Sequence, residues 1–406
     1  MPRYWTWALC LCGALASSCS SPKPERLIEP RAGAAKVGPV PASLAAAAAS
    51  PIACFGELVC LAQIQLPNEP VKAGQQFRVT YVWSVQSDPG RSWKVFVHGA
   101  TSADVAHLFN DDHEPGRSGY SIARWRRGDL IRVQRTMRLA KDLPSDRYEL
   151  WGGFFQGNER LPVSRGLTDG RDRARFGGLR VEGRKVPTLR ASIPKRKRAI
   201  VIDGKLSDDG WKDAPRLGPF QRYDGVGTGR YKTYARMLWD DHALYLAFEN
   251  PDADVHTPYS KRDDPIYESE AVEIFIDADG DADEYIELQV APNEVQFDAR
   301  FKGGARKNMD QAWNHTYEAK TSISGTLNDP SDKDRGWIAE WRIPYAGMPD
   351  LARAPSPGQS WKINLFRLDR LRKDGKVVGT DATAWSAPLS GDFHRLERFG
   401  VITFIP

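Results

Sequence analysis

No run of about 20 consecutive apolar residues occurs in the 406 residues, so the body of the chain offers no ordinary spanning helix. Charge of one sign is also scarce. The 57 basic and 52 acidic residues nearly cancel, leaving a net charge of +5. So mixed a surface lacks the basic stripe that nucleic acid requires, and no nucleic-acid partner is expected. The motifs G-x-S-x-G, H-E-x-x-H and the phosphate loop are missing. Gly225, Gly227 and Gly229 are spaced wrongly for a dinucleotide fingerprint and precede no helical pattern. The chain therefore reads as a non-enzyme without a catalytic cofactor. A glycan-active enzyme using a pair of its many carboxylates is the remaining catalytic alternative. Long helical periodicity and internal repeats are absent as well.

Cysteine is sparse and confined to the beginning, at Cys10, Cys12, Cys19, Cys54 and Cys60. Around the first three lies a targeting pattern: Arg3, an apolar stretch over residues 4–15, then Ala16, Ser17 and Ser18 before Cys19. Those small residues resemble the lipobox of bacterial lipoproteins, with Leu15 one place further upstream than usual. The resemblance implies a signal peptide over 1–18 and lipidation of Cys19. It also implies export and a membrane partner, through a lipid anchor at the bacterial outer membrane. An ordinary secretory signal cut nearby is the alternative. Cleavage before Cys19 leaves Cys54 and Cys60 in an oxidising compartment, where they either form a short disulfide staple or stay as buried thiols. Residues 19–54 are rich in Ala, Pro, Ser and Lys and predict a flexible tether.

What the chain does have is aromatics: 13 Trp, 13 Tyr and 16 Phe. Within residues 55–183, Phe77, Val79, Tyr81, Trp83 and Val85 alternate with Arg78, Thr80 and Ser84, which is the period of a half-buried strand. Further strand candidates at 93–97, 130–139 and 147–155 are separated by turn signals such as Asp88-Pro89-Gly90 and Arg127-Gly128-Asp129. This segment predicts an antiparallel β-sandwich. Residues 184–198, ending in Lys195, Arg196, Lys197 and Arg198, read as a solvated linker or as an anionic-surface patch. Residues 199–406 again hold short strand candidates: 199–203, 233–239, 243–250, 271–277, 285–291, 295–301, 336–343, 360–369, 383–385 and 399–404. The fold class is all-β, two antiparallel sandwiches in tandem behind the signal and tether.

Five ordered stretches of the second sandwich resemble carbohydrate-binding modules of family 9 and the related DOMON-like domains. They are Ile202-Asp203-Gly204-Lys205-Leu206 with Trp211; Trp239-Asp240 through Leu244-Tyr245; and Glu270-Ala271-Val272-Glu273-Ile274-Phe275-Ile276-Asp277. After these come Tyr285 to Val290, then Asn364-Leu365-Phe366-Arg367 with the closing Phe393-His394-Arg395-Leu396-Glu397-Arg398-Phe399-Gly400. The resemblance implies a carbohydrate partner. Aromatics stack on the apolar faces of a sugar ring, and a few fixed polar groups hold its hydroxyls. Carried over by position, the stacking pair falls on Tyr267 and Phe393, with His394 beside it. The polar groups fall on Glu273, Gln289 and Arg367. Well-understood members use two Trp where this chain has Tyr and Phe. A core role is the alternative for Phe393, and a structural ion pair with Arg367 is the alternative for Glu273. A protein of structure or adhesion, with a filled sheet face, is the rival to sugar binding.

Asp277, Asp279, Asp281 and Asp283 surround Gly280. Oxygen ligands at this spacing suit a hard cation, although the order departs from an EF-hand loop. Members of the family bind calcium, so a structural calcium ion stands beside the reading of a plain acidic hairpin. In the first sandwich Asn110, Asp111, Asp112, His113 and Glu114, with His98 and His107, form either an Asx-rich turn or a metal site.

Overall fold

A computed structural model describes residues 23–406 apart from 32–33, 102–108, 117–119, 304–307, 349–353 and 374–375. Cys19, the signal segment and His107 lie outside the described residues.

Two β-sandwiches follow one another. The first packs a seven-stranded sheet against a six-stranded one. At the centre of the former, Gln76–Val85 pairs antiparallel with Val59–Gln65 and Asp129–Arg138. Its alternation places Phe77, Val79, Tyr81, Trp83 and Val85 inward, where Tyr81 and Trp83 meet Phe154 and Phe176 from the facing sheet. Cys54 and Cys60 stand opposite each other in the hairpin Ala53–Phe55 with Val59–Gln65, and a disulfide joins them.

The expected tether over 19–54 is corrected. Arg26–Arg31 pairs in parallel with Asp129–Arg138 and antiparallel with Ala34–Gly38, extending the seven-stranded sheet. Ala42–Ala49 is an α-helix. Leu27, Leu44 and Ala48 are buried against Ala62, Val82 and Leu130. An alanine run that looks like low complexity is also the best intrinsic helix former, and three well-placed apolar residues suffice to dock it. The helix also explains why Val82 is buried although its parity points away from the sandwich core.

The linker over 184–198 is corrected in part. Arg190–Pro194 pairs in parallel with Gly400–Ile405 and edges the second sandwich, with Ile193 in its core. Lys195 reaches Asp241 at 2.6 Å and Arg196 reaches Asp240 at 2.6 Å. Their charges face acceptors of the same domain, and neither a free linker nor an anionic-surface patch describes them.

The second sandwich packs a nine-stranded sheet on a five-stranded one. In the larger sheet Ala271–Asp277 lies between Ser360–Lys373 and Tyr285–Val290, and Gln296–Phe301 follows. The smaller contains Tyr234–Trp239, Ala243–Asn250, Gly336–Pro344 and Glu318–Ser324. Inward parity brings Val272, Ile274, Ile276, Leu288 and Leu365 against Met237, Trp239, Leu246, Phe248 and Trp341. Burying such side chains stabilises by about 1.5–3 kcal/mol each.

Residues 199–203 are not a strand. Instead Asp203 and Gly204 donate their backbone N–H groups to Glu340 Oε2 at 2.9 Å each. Trp211, in the 3-10 turn Asp209–Asp213, donates its indole N–H to Glu340 Oε1 at 2.6 Å. Gly204 has φ +82°, and a Cβ there would stand 2.7 Å from the Thr321 carbonyl carbon. The opening I-D-G and its distant Trp are thus two arms closing on one carboxylate.

Candidate functional site

Alternation decides what the nine-stranded sheet shows on its outer face. Val272, Ile274 and Ile276 point into the sandwich, so Ala271, Glu273, Phe275 and Asp277 point outward. Register then assembles the rest. Glu273 stands opposite Gln289 on one side and Phe366 on the other. Phe275 faces Glu287, Gln289 faces Phe297, and Tyr285 faces Phe301.

The result is an aromatic layer. Phe393 stacks on Phe366 with centroids 4.1 Å apart and planes 8° apart. Phe366 meets Phe275 edge-on at 5.1 Å, and Tyr267 meets Phe297 at 5.3 Å. Tyr267, in the 3-10 turn Ile266–Glu268, is half-buried, whereas Phe393 is buried. His394 packs on Phe275 and Phe301 at 5.0 and 4.9 Å, and its Nδ1 lies 2.9 Å from the Tyr285 hydroxyl.

Beneath the aromatics lie polar groups. Glu273, Glu287 and Gln289 are all buried, and the Gln289 amide donates to Glu287 Oε1. Glu273 Oε1 and Gln289 Oε1 have no hydrogen-bond partner among the described residues. Burial, and then the neighbouring Glu287 charge, push the Glu273 carboxyl well above the usual carboxylate range. Glu273 therefore holds its proton readily and can donate an O–H as well as accept. A face of rings over such groups can stack on an apolar ring surface and exchange hydrogen bonds with hydroxyls.

Five of the six expected contact residues, Tyr267, Glu273, Gln289, Phe393 and His394, belong to this face. Arg367 does not. It stands opposite Val272, with inward parity, and donates to Thr233 Oγ1 at 3.1 Å, to the Pro251 carbonyl at 2.7 Å and to Asp252 at 2.5 Å. Neighbours along a strand face opposite ways, so the residue this strand contributes to the face is Phe366. The suggested pair of Glu273 with Arg367 is absent for the same reason. Phe366, Phe297 and Glu287 were not expected. Period-two steps from Gln289 and along the Asn364-Leu365-Phe366-Arg367 stretch are the signal that points to them.

Two groups of carboxylates among the described residues can each bring three oxygens within 4.8 Å of one another. In the first, Asp277 is buried and Asp279 and Asp281 are exposed. Asp277 Oδ1 accepts the Gly280 N–H at 2.9 Å, its Oδ2 has no partner, and burial pushes its pKa up to about 6. This oxygen set fits the chemistry of a calcium ion. In the second, Asp252, Glu270 and Asp369 are all buried, but the Arg367 guanidinium already lies 2.5 Å from Asp252 and 3.7 Å from Asp369. A cation position there is taken by the protein itself. Neither group falls in the first sandwich. Asp111 pairs with Arg135 at 2.9 Å and lies 3.2 Å from His113 Nδ1, and Asp112 and Glu114 are exposed.

A family profile described as carbohydrate family 9 binding domain-like matches residues 202–405. An extracellular protein of Arthroderma benhamiae is 26% identical over 183 residues, covering 43% of this chain and 79% of that protein. Endo-1,4-beta-xylanase A of Thermoanaerobacterium saccharolyticum is 24% identical over 200 residues, 49% of this chain but only 15% of the xylanase. A family 9 carbohydrate-binding module from Caldicellulosiruptor kristjanssonii, solved with cellotriose, shares 21% identity. That likeness covers 53% of this chain and 93% of the module, with a TM-score of 0.38.

Proposed function

Because the chain belongs to the carbohydrate family 9 binding domain-like family through residues 202–405, we propose that its second sandwich binds carbohydrate on the outer face of the nine-stranded sheet. The observation that carries this is the convergence of Tyr267, Phe297, Phe366 and Phe393 over Glu273 and Gln289, each of which has an Oε1 without a partner among the described residues. Tyr267, half-buried at the rim, offers a ring to a sugar face; Glu273, Gln289 and His394 are the hydrogen-bonding groups. In this reading the protein is non-catalytic. It is exported and lipid-anchored at Cys19 in the bacterial cell envelope, and Asp277, Asp279 and Asp281 hold a structural calcium ion. No described helix is long and apolar enough to cross a membrane.

Glycan arrays followed by calorimetry on the full chain test the proposal. Binding of a cello-oligosaccharide or another glycan is expected, with Tyr267→Ala weakening it by tenfold or more, about 1.4 kcal/mol. No binding to any glycan, or a ligand indifferent to Tyr267→Ala, overturns it. The burial of Phe393 against Phe366 favours one rival, a structural or adhesion protein whose sheet face is filled from within.

A further inference from the structure

The segment 386–399 carries Phe393 and His394, contains no strand, and has the 3-10 turn Leu396–Arg398 as its one regular element. Something must hold it. Within the segment, Arg395 Nη1 donates to the Pro388 carbonyl at 3.2 Å, tying together the two ends of the loop that includes Phe393. Leu389 sits at φ +55°, a left-handed conformation that a branched side chain rarely adopts without outside support. That support comes from the first sandwich. Thr101 donates its hydroxyl to the Leu389 carbonyl at 2.6 Å. Asp146, at the start of the strand Asp146–Gln156, takes the Arg395 guanidinium at 3.0 Å, with side-chain exposures of only 18% and 10%. Glu397, the other carboxylate on Arg395, is 64% exposed. Arg398 adds a hydrogen bond to the Val186 carbonyl at 2.8 Å.

We infer that the first sandwich is part of the ligand site, with Thr101 and Asp146 as positioning residues for the segment that presents Phe393 and His394. The inference rests on the outer-face reading above for its functional meaning, and on the contacts alone for its structural one. Asp146 touches no ligand. It holds Arg395, Arg395 closes the loop, and the closed loop sets Phe393 on Phe366. A largely shielded guanidinium that loses Asp146 is left to the exposed Glu397 and is drawn out toward it, and the loop ends it ties would part.

The test uses the full chain and two measurements. Amide hydrogen exchange is followed without ligand over 386–398, with the strands of 271–290 as internal control. Cellotriose affinity is measured by calorimetry. Asp146→Ala is expected to speed exchange in 386–398 about tenfold, leave 271–290 unchanged and weaken cellotriose about tenfold. Asp146→Glu, which restores the carboxylate, returns both toward the wild-type values. Unchanged protection of 386–398 in Asp146→Ala overturns the inference. If Asp146→Ala unfolds the chain, Thr101→Val is judged by the same criterion. A wild-type chain that binds no sugar while exchange still responds leaves the positioning role standing and removes the ligand reading instead.

Discussion

Replacing Glu340 by Ala removes the acceptor of three hydrogen bonds at once: from Asp203 N–H, Gly204 N–H and the Trp211 indole. The indole is buried and has no water to turn to, so its loss costs about 1–3 kcal/mol. The two backbone donors, Asp203 exposed and Gly204 buried, each contribute a typical net bond of about 0.5–1.5 kcal/mol. The sum is about 2–6 kcal/mol, a large share of the stability of a domain this size. Urea unfolding followed by tryptophan fluorescence reads it. Trp211→Phe removes the indole donor alone and is expected to cost about 1–2 kcal/mol. In the double variant the two effects should not add, because both delete the same bond. Burial lifts the Glu340 carboxyl above its ordinary value. A raised folded-state pKa means the native state binds the proton more tightly, so this contribution to stability is full below the unfolded carboxylate range. It is lost as pH rises through the folded value. Glu340→Gln should therefore flatten the pH dependence of the second sandwich. A cost below 1 kcal/mol for Glu340→Ala, or strict additivity with Trp211→Phe, refutes the account of the two arms.

Reduction of Cys54–Cys60, or Cys54→Ser with Cys60→Ser, is expected to lower the stability of the first sandwich by about 2 kcal/mol through loop entropy, read as its calorimetric midpoint. The second sandwich should not move. Leu44→Ala, at the contact of the helix Ala42–Ala49 with the sheet, should cost about 2–3 kcal/mol and open residues 42–49 to proteolysis, which a free tether would not show. Burial first, and the Asp252 charge also, lift Asp369 to about 7 against the opposing pull of Arg367. Its contribution is full below about pH 4 and lost between about pH 4 and 7, and that of Asp277, at about 6, is lost between about pH 4 and 6. Urea midpoints of Asp369→Asn should fall less steeply than wild type over that window.

Much of the architecture was readable along the chain because period-two alternation is a local property. Phe77 to Val85 announced a strand and the side of it that is core. The ordered stretches from Ile202 to Gly400 resemble one family closely enough to name the second fold. The site was only half readable, because register is not local. Glu273 beside Phe366, and Phe275 beside Glu287, follow from how strands slide against each other, and no single segment records that. Arg367 was misplaced because its inclusion rested on position in a motif, whereas parity along the strand sends it inward to Asp252. The alanine run before Ser50 was misread because composition alone does not separate a tether from a short helix with a docking partner. Residues 199–203 looked like a strand, yet their N–H groups are taken by a side chain, Glu340, more than a hundred positions away.

The docked hairpin and helix over 26–49 change how far the protein can stand from whatever holds its beginning. A fully extended chain advances about 3.3–3.6 Å per residue. Had residues 19–54 been a free coil, the first sandwich could have travelled more than about 100 Å from Cys19. With Arg26 already locked in the sheet, only residues 20–25 intervene, and the leash shrinks to about 25 Å. A lipid on Cys19 would then keep the first sandwich lying close against the bilayer. The nine-stranded sheet would then meet any ligand by its orientation on that surface, and not by swinging out into the medium.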